Sequence, residues 1–227
     1  MLDNRLGRVA ALVRRGSRLA DIGTDHARLP VWLVREGICP HAVAADIRTG
    51  PADAARRTIA AAGLEQAIEV RVGDGLAPLK PGEADDIVIA GMGGETIAAI
   101  LDACSWAKDA RYHWILQPMT RPEALRRWLL TNGFSLLSES VATEGRRLYL
   151  VLETAYTGAP PTEDEAAYYI GVLPAAEAAY LRGVANRVRR RAQGLARRAP
   201  DSGEAARLAA VAHRIERYIE EGGRCDV

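Results

Sequence analysis

The chain is 227 residues long and 48% apolar, with 30 Lys and Arg against 29 Asp and Glu and a formal net charge of +1. That length accommodates one mid-sized α/β domain and a smaller appendage, and that apolar fraction suffices for a packed core. The near-zero charge excludes a globally basic nucleic-acid binder, so any surface for a polyanion has to be local. Cys39, Cys104 and Cys225 are far apart, with no CxxC pair and no His at zinc spacing. Neither a disulfide framework nor a bound metal is expected. The opening MLDNRLGRVAALVRRG is charged throughout, with no secretory h-region, and no stretch approaches the ~18 apolar residues of a membrane span. The expected location is the cytoplasm, without membrane contact.

Leu2, Leu6, Val9, Leu12 and Val13 share one helical face, which predicts a helix over 2–14. A short apolar run at 18–22 meets Gly23, and helical spacing resumes through Leu29, Trp32, Leu33 and Val34. Residues 41–47 form a second short apolar run carrying Asp46, followed by an alanine-rich helix over 51–62 that Gly63 stops. Strand patterns at 68–72, 86–90 and 113–116 follow. They run into Gly73-Asp74-Gly75, Gly91-Met92-Gly93-Gly94 and Gln117-Pro118 respectively, with helices expected to about Ala103 and Asn132. Five units of strand, loop and helix predict a parallel sheet covered on both faces. Two more β-rich runs, 134–143 and 147–154, flank Glu144-Gly145-Arg146 and read as an antiparallel hairpin at the sheet edge.

The composition shifts at Thr157-Gly158-Ala159-Pro160-Pro161, a linker signal that divides the chain into 1–156 and 157–227. Beyond it lie two helical patterns, 163–198 and 202–221, around Pro200-Asp201-Ser202-Gly203. The second repeats Ala205, Leu208, Val211, Ile215 and Ile219 at spacings of three and four, so the pair should form an antiparallel hairpin or coiled coil.

In an open α/β sheet, ligands bind beyond the carboxyl ends of the strands, near the topological switch point. The first such loop reads Asp21-Ile22-Gly23-Thr24-Asp25-His26. Its glycine permits a tight turn, and the helix start behind it offers N–H donors to a carboxylate. Asp46, with Ile47 beside it, lies about two dozen residues on, where an acid accepts from ribose hydroxyls. Asp74, between Gly73 and Gly75, is placed to hold an adenine amino group, and Ala90, Gly91, Met92 and Gly93 allow close backbone approach to a methyl donor. Each loop alone could be an ordinary turn or cap; their succession along a βαβ series points to a nucleoside cofactor. A dinucleotide site requires G-x-G-x-x-G to seat a pyrophosphate, whereas Asp25 stands where the second glycine would fall. A carboxylate there suits a sulfonium and an ammonium, which favours S-adenosyl-L-methionine (SAM). The expected fold class is therefore α/β. It comprises a Rossmann-like, class I SAM-dependent methyltransferase domain with a seven-stranded, mostly parallel sheet, and a C-terminal helical hairpin or coiled-coil domain.

The runs LADIGTDHARLPVWLVREG, AVAADIRTGP, VGDGL, PGEADDIVIAGMGGETI and ILQPM…LRRWLLTNGF resemble, in matching order from Leu2 to Leu152, the bacterial tRNA (adenine-22-N1)-methyltransferases, the TrmK-like family. One departure is Arg147-Leu148-Tyr149-Leu150, where that family leads us to expect an acid after the tyrosine. The resemblance implies transfer of a methyl group from SAM to N1 of an adenine in tRNA, at position 22 in the D-loop.

Adenine N1 carries an in-plane lone pair, so the reaction needs positioning and electrostatics rather than a strong base. Asp25 and Gln117 are the catalytic candidates: Asp25 by contact with the adenine amino group or the sulfonium region, Gln117 by a bidentate amide contact to the adenine edge. The competing readings are a helix cap for Asp25 and a structural hydrogen bond for Gln117. His26 reads more as a local structural residue than as a proton carrier. Pro118 stiffens the loop that would meet a flipped base, and Tyr149 either stacks on that base or packs in the core. Segment 182–198 contains Arg182, Arg187, Arg189, Arg190, Arg191, Arg197 and Arg198 and no acid. It is either a phosphate-facing surface or a solvated helix face. Of these, Arg187, Arg190 and Arg191 are the substrate candidates, extended by Arg5, Arg8 and Arg48. Rival readings are a methyltransferase of another RNA or small molecule, and a NAD-dependent or non-catalytic Rossmann protein. A monomer is expected.

Overall fold

The computed structural model describes residues 1–199 and 203–223. Cys225 and the loop residues Pro200, Asp201 and Ser202 lie outside the described residues. Among the described residues there are seven strands: β1 (Leu19–Ile22), β2 (Ala42–Asp46), β3 (Ile68–Val72), β4 (Asp86–Gly93), β5 (His113–Thr120), β6 (Phe134–Glu144) and β7 (Arg147–Tyr156). They form one sheet in the order β3-β2-β1-β4-β5-β7-β6. The first five pair in parallel. The β6–β7 hairpin adds to β5 antiparallel, with β6 at the edge. The strand order reverses between β1 and β4, and that switch point locates the ligand cleft.

Alternation along the strands builds a core on each face. Leu19, Ala44, Val88, Ile115 and Val151 point to one side, beneath α1 (Asn4–Ala10), α2 (Arg28–Arg35) and α3 (Thr49–Ala62). Ile22, Ile87, Ile89, Trp114, Leu116 and Leu152 point to the other, beneath α4 (Gly94–Asp102) and α5 (Pro122–Thr131). The second core continues without a break into α6 (Glu165–Ile170), α7 (Ala178–Arg198) and α8 (Gly203–Glu220). On α7 the buried residues Leu181, Val184, Val188 and Ala192 recur every three or four positions and meet Leu208, Val211 and Ile215 of α8. Each stripe is a one-sided apolar face that the partner helix covers.

Four expectations are corrected. The crossover between β3 and β4 carries no helix, because residues 74–85 contain Gly75, Pro78, Pro81 and Gly82, each of which interrupts helical continuation. Four helices, rather than five, therefore cross the sheet. The β4 and β5 strands run past the expected loops: Ala90 pairs with Gln117, Met92 with Pro118 and Gly93 with Thr120, with register shifts that bulge out Gly91. Gly91 takes φ +81°, and Pro118 has no N–H to leave unpaired, so a bulge suits both. Lastly, the helical stretch 163–198 is interrupted at Gly171 (φ +65°) and Pro174, then restarts through a single 3₁₀ turn, Ala175–Glu177. The first helix is also shorter than 2–14, although Val13 still reaches the core through turns after Ala10.

Candidate active site

The carboxyl ends of β1, β2, β3 and β4 open onto a cleft of about 570 Å³, within the roughly 300–1,000 Å³ of small-molecule sites. Its wall brings together Asp21, Gly23, Thr24, Asp25 and His26 after β1, Asp46, Ile47 and Arg48 after β2, and Gly73, Asp74 and Gly75 after β3. Ala90, Gly91 and Met92 of β4 complete it, with Arg5 from α1. Gly93 lies outside this wall and caps α4, beside Thr120.

The turn after β1 is shaped by close approach. Gly23 has φ +77°, and a Cβ there would lie 2.2 Å from Met92 Cε. The Gly23 and Thr24 N–H groups both donate to the Ala45 carbonyl, at 2.8 and 3.0 Å. Asp25 (φ +49°) and Ala27 (φ +53°) sit in the left-handed region, an unfavourable backbone for residues other than glycine. The Asp25 and His26 N–H groups form no hydrogen bond among the described residues, which leaves them to an anion in the cleft. Their side chains are well exposed, with His26 Nε2 3.7 Å from Asp25 Oδ2.

Asp21 is buried at the end of β1 and accepts a hydrogen bond from Thr24 Oγ1 at 2.7 Å. Burial pushes its pKa up to about 6; Thr24 and the Arg5 charge oppose that rise, and Asp46 adds to it. Asp46 is also buried. Its Oδ1 accepts the Arg48 N–H at 2.9 Å, and its Oδ2 makes no hydrogen bond among the described residues. Ile47, 59% exposed, presents an apolar side chain at the rim. This donor set answers the choice of nucleoside cofactor. A pyrophosphate needs a row of free N–H groups, and the first two in this turn are already engaged by Ala45. Paired deep carboxylates, an open carboxylate oxygen and an apolar rim instead fit the ammonium, ribose and adenine of SAM.

Gln117 is fully buried on β5. Its Oε1 accepts from Arg5 Nη1 at 2.9 Å and from the Gly91 N–H at 3.1 Å, while its Nε2 donates to the Pro118 carbonyl at 3.0 Å. All the hydrogen bonds of this amide are thus made within the protein. In this geometry it ties α1 to β4 and does not present an edge to a base. The substrate candidates are dispersed. Arg5 and Arg48 enter the cleft, whereas Arg8 lies with Val141, Ala142 and Thr143 on a separate surface. Pro118 is buried, and Tyr149 sits half-buried opposite Ala142 in the hairpin. Arg187 and Arg191 line a groove facing α5, and Arg190 is exposed outside it. Sequence reasoning missed Arg28, Thr96 and Ile100 in the cleft wall. Thr96 and Ile100 stand one turn apart just after the glycine run, which was the available signal.

A parallel sheet with an antiparallel hairpin at its edge, and a carboxylate-lined cleft at the switch point, define a Rossmann-like methyltransferase. The family model described as "Methyltransferase domain" matches residues 2–152. The chain is 41% identical over 151 residues to the tRNA (adenine(22)-N(1))-methyltransferase of Bacillus subtilis (strain 168), covering 66% of this chain and 63% of that protein. The crystal structure of the B. subtilis m1A22 tRNA methyltransferase TrmK superposes with a TM-score of 0.81 at 30% identity, covering 99% of both chains. Sp1610 of Streptococcus pneumoniae, described as a candidate tRNA (m1A22) methyltransferase and solved with S-adenosyl-L-methionine, gives 0.79 at 31% identity, covering 96% of this chain and 100% of that one. The chain belongs to the tRNA (adenine(22)-N(1))-methyltransferase family.

Proposed function

We propose that the protein methylates N1 of an adenine in tRNA, position 22 of the D-loop as in its relatives, with SAM as methyl donor. The observation that carries this reading is the cleft itself: Asp46 keeps one carboxylate oxygen open while the Gly23 and Thr24 N–H groups are closed to a pyrophosphate, in a chain of this family. Bound SAM supplies an electrophilic methyl group, which passes to the N1 lone pair as the bonding electrons return to sulfur.

The residues divide the work of binding. Asp46 Oδ2 takes the ribose hydroxyls, Ile47 covers the adenine face, and Asp74 meets the adenine amino group. Asp21 holds the ammonium, and the Asp25 and His26 N–H groups take the carboxylate. Arg5 moves from the RNA surface to this cleft, where its charge faces Asp21 and helps keep that acid ionised. Gln117 is a positioning residue that fixes Gly91 and Arg5. Asp25, exposed at the rim, is the carboxylate placed to favour the positive charge that the adenine ring acquires; the surplus N6 proton leaves afterwards to water. Residues 1–156 form the methyl-transfer domain and 157–227 the helical domain that contacts tRNA.

The test incubates the protein with unmodified bacterial tRNA and isotopically labelled SAM, followed by nucleoside mass spectrometry. Label in 1-methyladenosine at one D-loop position is expected; SAM binding without label in tRNA would withdraw the tRNA reading.

A further inference from the structure

We infer that a second nucleotide of the RNA, one that is not methylated, is held in the groove between the start of α5 and the face of α7. This rests on the tRNA reading above and gives the helical domain a specific task. The groove encloses about 510 Å³, the scale of a nucleotide-sized ligand. Its lining has two parts. Besides Arg126, which is buried and paired with Glu139, Arg121 at the N-cap of α5 and Arg187 and Arg191, one turn apart on α7, supply three guanidinium groups, against the single lining carboxylate of Glu123. Val184, Val188 and Tyr169 supply an apolar wall. A phosphate alone would not need that wall, and an apolar peptide would not need three cations. A nucleotide uses both, because its base stacks on tyrosine and guanidinium planes while its phosphate is neutralised.

The cations are available. Arg187 has no ion-pair partner among the described residues, Arg191 holds an exposed pair with Glu204 at 2.9 Å, and the exposed Arg121 guanidinium is shared between half-buried Glu123 at 2.9 Å and exposed Glu95 at 3.3 Å. Exposed pairs of this kind are worth only about 0–1 kcal/mol, so exchange for a phosphate costs little. Tyr169 is buried at 8% exposure and offers the groove only its edge, so the base packs on that edge and on the exposed guanidinium planes of Arg187 and Arg191. The groove is also in the right place. Arg121 directly follows β5, its carbonyl lies against Gly94, and its guanidinium reaches Glu95 at 3.3 Å in the first turn of α4. That turn follows Gly91 and Met92 of the cleft wall, so the groove opens on the same edge of the sheet. An RNA strand that inserts one base into the cleft therefore runs past Arg121 toward α7.

The experiment compares wild type with Arg187→Ala/Arg191→Ala and with Arg121→Ala, using an unmodified tRNA transcript titrated at several salt concentrations. Binding of S-adenosylhomocysteine by calorimetry serves as the folding control. We expect tRNA affinity to fall about tenfold or more in the double variant, with S-adenosylhomocysteine affinity unchanged. The slope of log K against log salt should become shallower by about 0.7 for each phosphate that is no longer neutralised. Wild-type tRNA affinity and salt slope in variants that bind S-adenosylhomocysteine would overturn the groove while leaving the methylation reading intact. Failure of the wild type to methylate tRNA would overturn both. Photo-cross-linking with 4-thiouridine-substituted tRNA tests the base directly. Adducts on Tyr169 or on α7 near Val184 are expected, and their absence from the groove overturns the base assignment.

Discussion

Arg126 and Glu139 face each other with no solvent access to either carboxylate or guanidinium beyond 1%, joined by Nε–Oε1 at 2.7 Å and Nη2–Oε2 at 3.1 Å. The remaining bonds complete the arrangement. Arg126 Nη1 donates to the Tyr168 and Tyr169 carbonyls, and Glu139 Oε2 accepts the Val172 N–H at 2.9 Å. One ion pair thereby ties α5 and β6 to the end of α6. Gly171 fits against it because it lacks a side chain: a Cβ there would lie 2.0 Å from Glu139 Oε2.

Breaking this pair from one side leaves a buried charge uncompensated, which costs about 3–5 kcal/mol, whereas replacing both members by apolar residues of similar volume is often neutral or stabilising. Arg126→Met and Glu139→Gln should each lower the urea midpoint strongly. Arg126→Met/Glu139→Leu should recover much of the loss, although the Tyr169 carbonyl and Val172 N–H then lack partners. Two single losses that simply add in the double variant would show that the pair is not coupled. Gly171→Ala should resemble the single variants.

Asp21 makes the cofactor site pH-dependent in a stated direction. Its folded pKa, about 6, lies above the ordinary carboxylate value. In the free protein it therefore adds stability at pH below about 4, and this contribution disappears as pH rises through 6. Asp21→Asn should stabilise the free protein at pH 8, by as much as about 3 kcal/mol for a shift of about two pKa units. Cofactor binding runs the other way, since an ammonium prefers the ionised acid. Wild-type affinity for S-adenosylhomocysteine should fall as pH drops from 7.5 to 5.5. The Asn variant should bind weakly and show a flatter profile. Calorimetry at three pH values separates the two; a wild-type affinity independent of pH would remove Asp21 from the ammonium site.

The short apolar runs and their spacing made all seven strands and the edge hairpin readable in advance, although β3 and β6 bury their side chains irregularly and β1, β2 and β5 also bury Asp21, Asp46 and Gln117. The cleft was readable for a related reason: acids and glycines recur at successive strand ends of one βαβ series, although each alone serves as well for a turn or a cap. What escaped were features decided by neighbours far along the chain. Nothing local announces that Pro118 continues β5, since that follows from the bulge at Gly91 on the adjacent strand. Arg5 resembled a surface cation until α1 packed over the switch point and brought it to Gln117, 112 positions away. The break at Gly171 did have a local signal in Gly171 and Pro174, but its cause is the distant carboxylate of Glu139.

A second pH effect belongs to the opposite end of the sheet. His113 Nε2 is 2.8 Å from Glu153 Oε1, and its Nδ1 is 3.4 Å from Asp86 Oδ2 without forming a directed hydrogen bond. Burial alone would lower the histidine pKa, but the two carboxylates outweigh it and the net shift is upward. The stabilisation is thus fully present below the unfolded value of about 6.5 and is lost as pH rises through the folded value. His113→Asn should cost more stability at pH 6 than at pH 9, as read from urea midpoints. Equal losses at both pH values would indicate packing alone. The position of His113 at the start of β5, away from the cleft, predicts no change in cofactor affinity.

Gln117 offers the sharpest separation between positioning and contact. If its amide read the target base, Gln117→Leu would chiefly raise the KM for tRNA. The structure instead commits Oε1 to Arg5 and the Gly91 N–H, so the change should remove the acceptor that holds the Gly91 bulge and release the guanidinium beside Asp21. Gly91 is exposed, so water can take up its N–H and the lost bond costs about 0.5–1.5 kcal/mol. We expect lower stability, weaker S-adenosylhomocysteine binding and reduced kcat, with the KM for tRNA near wild type. Gln117→Glu keeps an acceptor for both donors and should rescue cofactor binding more fully than Leu. Arg5→Ala should reproduce the cofactor defect of Leu without its full stability loss, because it leaves the Gly91 N–H paired with the amide. A variant set in which tRNA KM rises while cofactor affinity stays constant would return Gln117 to direct contact with the base.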